Sequence, residues 1–324
     1  MEVPQIKSNK INNQNFFSLS RQRYKVWTIS GFAILISLIG LISSWLNPSI
    51  GLPLRAGLDF TGGTQIRLER KCQKECGLIS TISISNALND ISDSNEGIPY
   101  QKLDGARIQF LDGYKSLLIR TPTLSAFESK KVIDSVVNIA GPFDEGGQSI
   151  ETIGPTLGKK LLRTSLISLL VAFLLISTYI SIRFDRKYAF LALLALSHDV
   201  IIVCGVFAWL GIFQNIEVNS LFAVALLTIA GYSVNDTVVV FDRVREINRS
   251  KINLSLKQKI DLAVSATLTR TLYTTGTTLL PLLALIFFGG TTLYWFAIAL
   301  ALGVIVGSWS SIALAPSLLS LSND

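Results

Sequence analysis

Six apolar stretches, each close to the ~20 residues needed to cross the hydrocarbon core of a bilayer, constrain the fold of this chain more than any other feature. The predicted spans are residues 26–46, 161–182, 188–211, 219–241, 270–289 and 293–317. Only 16% of the residues are charged, whereas soluble proteins average about 25%. The sequence therefore predicts a polytopic α-helical membrane protein with six transmembrane helices.

Lysine and arginine gather in alternate connections between these spans. Three segments are rich in basic residues: 1–25, 183–187 and 242–269. The connections at 212–218 and 289–293 contain no basic residue. Because cytoplasmic connections are enriched in Lys and Arg, we expect both termini, residues 1–25 and 318–324, to be cytoplasmic, together with a loop at 242–269. The net charge of +7 then reflects orientation in the membrane rather than nucleic-acid binding.

Residues 47–160 separate the first span from a five-helix bundle at 161–317, and they predict an external, periplasmic domain. Four segments have the pattern of strands: 65–69, 107–111, 114–120 and 148–156. Two segments carry apolar residues at helical spacing: 80–94 and 123–140. Asp112-Gly113, between the second and third strands, is a strong hairpin signal. The resulting βαββαβ order is the ferredoxin-like α+β arrangement.

Two carboxylates inside the apolar spans carry the strongest functional signal. Asp236 lies in the fourth span, about 10 Å inside the cytoplasmic boundary, and Asp199 lies near the centre of the third span beside His198. A charged residue at that depth costs roughly 2.5–3.5 kcal/mol, so it persists where it pairs, titrates or faces water. We predict proton-linked roles for both carboxylates, with Asn235 and Thr237 as supporting polar residues. For His198, function and simple packing are equally open.

Charged residues at the ends of the spans allow milder interpretations. Asp242 and Arg243 fall at the boundary of the fourth span, where an interfacial role is sufficient. Arg270 opens the fifth predicted span. Its side chain either reaches the membrane surface or turns inward as the counter-charge of Asp236, and the sequence leaves both alternatives open.

A stripe of small residues marks the last span. Small side chains recur at every fourth position: Ala299, Gly303, Gly307, Ser311 and Ala315. Such residues allow a neighbouring helix to approach closely, so we interpret Gly303, Gly307 and Ser311 as helix-packing positions. The partner helix belongs either to this chain or to another one.

The sequence predicts neither a cofactor nor a metal site. Residues 57–64 are rich in glycine, but no Gly-Lys-Ser/Thr follows them, so we interpret them as a bend that enters a strand rather than a phosphate loop. Cys72 and Cys76 lack further metal ligands, because the only histidine of the chain is His198. A short disulfide and two free thiols are equally open for this pair.

Four parts of the sequence together resemble a known family. They are residues 57–64, residues 195–200, residues 231–246, and Arg270 with residues 274–280 and 288–290. The pattern resembles SecF, the family of smaller membrane subunits in the SecD–SecF complex of bacterial protein export, and the match extends over nearly the whole chain. The resemblance implies one half of a transporter fold of the RND superfamily, completed by a SecD-like subunit.

The resemblance also implies a function. It implies a secondary transport protein of the bacterial inner membrane, not an enzyme, that uses the proton motive force. Its partners would be the SecYEG channel with SecA, the translocating polypeptide and the lipid bilayer. Within the family, the positions that match Asp236 and Arg270 are implicated in proton conduction, and Asp199 matches a further family position. Sodium stays open as the coupling ion.

Two other function classes stay open on the sequence alone. An independent RND-type exporter of small molecules or lipids would need a second six-span half, which a homomeric complex could supply. A scaffold for membrane-protein assembly that transports nothing would tolerate neutralisation of the intramembrane charges.

Overall fold

The computed structural model describes residues 19–72, 76–93, 103, 106–111, 113–250 and 254–321. The chain divides into two compact units. The first is a helical bundle that contains the residues up to Arg55 together with Leu166–Asp324. The second, Ala56–Ser165, is an α+β domain.

The first described element is a long helix of the bundle, and the chain then enters the α+β domain. The first helix is α1 (Leu19–Leu46). The domain follows with α2 (Leu58–Thr61), β1 (Gly63–Arg70), α3 (Thr81–Asp93), β2 (Arg107–Leu111), β3 (Ser116–Thr121), α4 (Ala126–Ala140) and β4 (Phe143–Ile153). Apart from the single turn of α2, this is the βαββαβ order that the sequence predicts.

The four strands form one antiparallel sheet in the order β2-β3-β1-β4. In the central strand β1, Ile66 pairs with Ile119 of β3 and with Ile150 of β4. Side chains at alternate positions of β1 enter an apolar core that α3 and α4 also line. Its central members are Ile66, Leu68, Ile84, Leu88, Leu117, Ile119, Val132 and Val136. This topology is the ferredoxin-like arrangement.

The hairpin between β2 and β3 differs in detail from the prediction. Leu111 pairs with Ser116, and β3 begins at Ser116, two residues later than the predicted strand 114–120. Gly113 and Tyr114 both have positive φ, at 63° and 68°, which takes Tyr114 out of extended structure. Asp112, the other predicted turn residue, lies outside the described residues.

The glycine-rich segment at 57–64 is a bend, as the sequence indicates. One helical turn, α2, leads to Gly62 and Gly63, whose φ angles are 71° and 126°. A Cβ atom added at Gly63 would lie 2.5 Å from the Thr121 carbonyl oxygen. Glycine is therefore required where this segment turns into β1 and approaches β3.

Arg70, the last residue of β1, joins three loops of the domain. Its Nε atom donates to the Ala140 carbonyl at 2.9 Å, and its Nη1 atom donates to the carbonyls of Gly77 and Tyr114 at 3.0 Å each. The neighbouring Cys72 and Cys76 are joined as a disulfide with their Cα atoms 5.3 Å apart. In the protein as it exists in the cell, this pairing stays a prediction.

Six helices of the described chain are long and apolar enough to cross a membrane, as predicted. After α1 they are α5 (Pro155–Arg183), α6 (Arg186–Phe213), α7 (Ser220–Arg249), α8 (Leu256–Phe288) and a composite last helix. This last helix consists of α9 (Gly290–Trp309), a π-helical segment (Ser310–Leu314) and α10 (Ala315–Leu319).

Helix α8 begins well before the predicted fifth span. Ser255 and Gln258 form a capping box, in which each side chain accepts a hydrogen bond from the backbone N–H of the other residue. Arg270 therefore lies inside the helix, about 21 Å from its start, and does not open it. Most of the segment predicted as a loop at 242–269 is helical, because α7 also continues past residue 242.

Small residues bring the helices of the bundle into direct contact. A Cβ atom added at Gly303 of α9 would lie 2.3 Å from Ile229 Cδ1 of α7, and one added at Gly205 of α6 would lie 2.2 Å from Ser37 Cβ of α1. No side chain larger than that of glycine fits at these distances. The stripe of small residues in the last span therefore packs against α7 of this same chain.

Candidate functional site in the helical bundle

Asp199 of α6 is fully buried and contacts three polar side chains. Its Oδ2 atom accepts hydrogen bonds from Ser310 Oγ, at 2.7 Å, and from Ser233 Oγ of α7. Its Oδ1 atom lies 2.8 Å from His198 Nδ1. Gly307 lies beside this cluster: a Cβ atom added there would be in ordinary contact with Asp199 Oδ2, at 3.6 Å, but tight against Ser233 Cβ, at 3.2 Å. One carboxylate thus joins α6, α7 and the composite last helix.

The last helix widens into its π-helical segment beside this carboxylate. The Ala315 N–H donates to the Ser310 carbonyl, five residues earlier. Pro316 follows in the chain, and proline disturbs the preceding turn because it lacks an N–H and its ring collides with the carbonyl four residues before it. Ser311, the second residue of the segment, shares a 2.8 Å hydrogen bond with Thr237 Oγ1.

Asp236 precedes Thr237 on α7 and has a different environment. The residue is 1% exposed, and its Oδ2 atom is buried without a hydrogen-bond partner among the described residues. Unpaired polar atoms in protein interiors are rare and need an explanation, such as a water molecule, an ion or a functional role. Arg270 of α8 is a cation whose electrostatic influence reaches this carboxyl group, although no direct ion pair joins the two described side chains.

Arg270 lies on the exposed side of α8. One turn further along the helix, a chain of hydroxyl groups connects three helices. Tyr232 of α7 donates to Thr275 Oγ1 at 3.2 Å, and Thr275 in turn contacts Ser308 Oγ of α9. Arg270 therefore does not point into the core of this bundle, whereas the hydroxyl of Thr275 on the same helix contacts α7 and α9.

The two residues predicted at the membrane interface lie at the exposed end of α7. Asp242 pairs with Arg183 of α5 at 2.8 Å, and Arg243 pairs with Glu246 at 2.6 Å. All four side chains are at least one third exposed. Their positions agree with an interfacial role, which stays a prediction.

The structure thus brings together only part of the set that the sequence singles out. Asp199, His198 and Gly307 meet at one point, and Ser311 with Thr237 lies beside it. Asn235 lies on an exposed side of α7, so its side chain is not part of the buried cluster that its predicted supporting role would require. The residues Ser233 and Ser310 were missed. Helical spacing gave one signal for Ser233, which lies four residues before Thr237 and hence on the same face.

Asp261 of α8 makes a further, half-buried contact that the sequence did not reveal. Its two carboxylate oxygens accept hydrogen bonds from the Ser20 backbone N–H, at 2.9 Å, and from Ser20 Oγ, at 2.6 Å. The first N–H groups of a helix have no partner inside the helix, so Asp261 satisfies one for α1. Among the described residues, no three His, Cys, Asp or Glu side chains form a group that could hold a metal ion.

Comparison with known proteins places these residues in a family context. The family model "Protein export membrane protein SecD/SecF, C-terminal" matches residues 133–323, and the model "SecD/SecF GG Motif" matches residues 50–74. Protein translocase subunit SecF of Prochlorococcus marinus is 70% identical over 97% of this chain and 98% of its own length. The SecF subunit of Synechocystis is 39% identical over 90% of each chain.

Solved structures show the same architecture. SecDF from Thermus thermophilus, described as a translocon-associated membrane protein, matches 96% of this chain with a TM-score of 0.77 and 28% sequence identity. A structure of SecDF in a super-membrane-facing form matches the same share with a TM-score of 0.60 and 30% identity. In both cases this chain spans 39% of the longer SecDF chain.

Proposed function

Because the chain belongs to the SecD/SecF family of protein export membrane proteins, we propose that it works as the SecF-type subunit of the Sec protein translocase. In this role it uses an ion gradient, together with a SecD-like chain, to assist polypeptides across and into the membrane. One observation carries the ion-coupled part of the proposal. It is the Oδ2 atom of Asp236, which is buried in a membrane-length helix and has no hydrogen-bond partner among the residues that the structure describes.

The coupling needs a group that gains and loses a proton inside the membrane. Protonation makes the Asp236 carboxylate neutral and removes the charge that attracts Arg270. A proton that moves through 100 mV releases about 2.3 kcal/mol, which is comparable to the free energy of leaving a buried polar group unpaired. The changed attraction between α7 and α8 then shifts the balance between two arrangements of these helices.

The outer surface of the bundle supports a partner in the membrane. In their most apolar windows, only 6% of the residues of α5 and 11% of those of α8 are buried, against 61% in the last helix. Arg270 lies on the exposed side of α8, where lipid would leave its charge unpaired. A SecD-like subunit that covers α8 would supply this residue with a polar environment.

We place the chain in a bacterial inner membrane with both termini in the cytoplasm, because basic residues concentrate at 183–187 and 242–269. In this orientation the α+β domain lies outside, where polypeptides emerge from the SecYEG channel after the SecA-driven step. The proton is the proposed coupling ion, and imposing a sodium gradient in its place separates the two possibilities.

The decisive test compares Asp236→Asn with Asp242→Asn in proteoliposomes that contain the full chain, a SecD-like subunit, SecYEG and SecA. Both changes neutralise one carboxylate of α7, but Asp242 is an exposed residue paired with Arg183. We expect Asp236→Asn to assemble normally and to abolish proton-stimulated export, while ATP-driven insertion continues. Asp242→Asn should retain most of the stimulation, because its charge is already solvated.

Two outcomes would contradict the proposal. An assembled Asp236→Asn complex with wild-type proton flux and export would leave a scaffold role. A homomeric complex that moves small molecules or lipids, and gains nothing from a SecD-like chain, would indicate an independent exporter.

A further inference from the structure

Asp199 and Asp236 are both buried carboxylates, but their hydrogen bonds differ in kind. Asp199 accepts bonds from two serine hydroxyls on other elements and lies against His198. Asp236 keeps one oxygen without a hydrogen-bond partner in the described part of the chain. A proton carrier must exchange its proton with a moving partner, whereas a carboxylate that accepts hydrogen bonds from donors on fixed elements holds those donors in place. The structure therefore separates two residues that the sequence treats alike.

The element that Asp199 holds is the π-helical segment Ser310–Leu314. π-Helical turns are rare and are found mostly as single bulges at functional sites. The segment needs contacts that fix its register, because a return to regular α-helix would rotate its side chains. Ser310 makes such a contact through its bond to Asp199 Oδ2, and Ser311 makes another with Thr237.

From this geometry we propose that Asp199 is a positioning residue and not a proton carrier. Through Ser310 it holds the π-helical segment in register, and the segment in turn keeps Ser311 against Thr237, the direct neighbour of Asp236. The inference rests on the proposed function, since it takes Asp236 as the proton-linked carboxylate. It assigns to Asp199 the task of connecting the last helix to the part of α7 that carries Asp236.

A positioning role and a carrier role require different chemistry at residue 199. Positioning requires an oxygen that accepts the Ser310 and Ser233 hydroxyls, and the amide of asparagine still supplies one. Carrying requires a group that titrates, which asparagine lacks. Alanine supplies neither. It would take the Asp199 acceptor from Ser233 and leave Ser310 with only the Gly307 carbonyl of its own helix. Asp199→Asn and Asp199→Ala therefore give different results only if the residue positions the last helix.

The experiment measures proton-stimulated export by the full chain reconstituted with a SecD-like subunit, SecYEG and SecA. We expect Asp199→Asn to keep about half or more of the stimulation, and Asp199→Ala and Ser310→Ala each to lower it roughly fivefold to tenfold. Export stimulation in the double variant Asp199→Ala/Ser310→Ala should be no lower than in the less active of the two single variants, because both changes remove the same contact. Ser320→Ala is the matched control, since this buried hydroxyl donates to the Ser317 carbonyl of its own helix.

A second measurement reports the register directly. Amide hydrogen exchange should increase at residues 306–315 in Ser310→Ala and stay unchanged in α8. This reading also applies if Asp199→Ala fails to fold, because Ser310→Ala removes only one oxygen atom.

The inference would be overturned if Asp199→Asn lost the stimulation as completely as Asp236→Asn while its amide exchange at residues 306–315 stayed unchanged. Asp199 would then be a carrier. Wild-type export and exchange in Ser310→Ala would overturn it as well. If Asp236→Asn instead retained full stimulation, the proposed function would fail by itself, and the exchange data would still decide whether Asp199 holds the π-helical segment.

Discussion

Two arginines, one in each unit of the molecule, show how differently the α+β domain and the bundle treat their charges. In the domain, Arg70 donates to the carbonyls of Ala140, Gly77 and Tyr114. In the bundle, Arg270 is exposed, and one oxygen of Asp236 has no partner within the described ranges of the chain. The charge of Arg70 is thus used for contacts within its own unit, whereas Asp236 and Arg270 leave two charges of the bundle for a proton or a partner to satisfy.

The largest expected effect comes from Arg270→Gln, which should reduce proton-stimulated export to the level of vesicles that lack the chain. The melting temperature of the bundle should change little, because the exposed guanidinium makes no contact that folding needs. All five tryptophans lie in the bundle unit, so tryptophan fluorescence reports its unfolding separately.

Arg243→Gln is the matched control, since its charge is exposed and pairs with Glu246 one turn away. It should leave export near the wild-type level. If Arg270→Gln also lowered the melting temperature of the bundle substantially, the comparison would fail. Arg270 would then stabilise the bundle as Arg70 stabilises the domain.

Arg70→Met should show the opposite pattern. The change removes three charge-assisted hydrogen bonds to backbone carbonyls, so we expect the domain to lose roughly 2–4 kcal/mol of stability. Amide hydrogen exchange in β1 and β3 of the full-length chain measures this loss. Lys71→Met, which removes an exposed ion pair with Asp144 at 3.4 Å, should cost less than about 1 kcal/mol. Equal effects of the two changes would show that the carbonyl contacts of Arg70 add nothing.

A smaller loss of about 2 kcal/mol is expected for Gly113→Val. Gly113 has a φ of 63°, a conformation that a β-branched residue strongly resists. Open space surrounds the position, so backbone strain alone is tested. Gly113→Asn should be milder, since asparagine tolerates this conformation. Unchanged amide hydrogen exchange in β2 and β3 of Gly113→Val would contradict this reasoning.

The last and smallest effect, at most about 2 kcal/mol, is expected when Cys72 and Cys76 are both replaced by serine. The closed loop is short, and a short loop removes little entropy from the unfolded chain. A reducing agent should destabilise the wild-type domain by the same amount and leave the serine variant unchanged. If the reducing agent has no effect on the wild type, the two residues are free thiols.

The domain could be predicted closely because its pattern is local. Ile66 and Leu68 are buried and alternate with the more exposed Gln65 and Arg67, and this alternation is visible within a few residues. The conformation of Tyr114 could not be predicted in the same way. Its positive φ follows from the pairing of Leu111 with Ser116, which is a property of the folded hairpin.

The site was predictable only where charge made it conspicuous. Asp199 and Asp236 were recognised because a carboxylate is costly in an apolar span. Ser310 carries no such signal, and its partner Asp199 lies 111 residues earlier in the chain. Ser311 was recognised as a small packing residue, but its hydrogen bond to Thr237 depends on the π-helical segment. Hydropathy records none of these contacts, because serine is nearly neutral on such scales.

The cap that Asp261 forms on α1 has a consequence for the order in which the protein is made. Ser20 and Asp261 are separated by 241 residues, and translation at roughly 5–20 residues per second needs about 12–48 s to cover that distance. During this interval the first helix is already synthesised, but the partner of its first turn does not yet exist. Ribosome-bound chains that end before residue 261 should therefore hold the start of α1 loosely, and the emergence of α8 should fasten it.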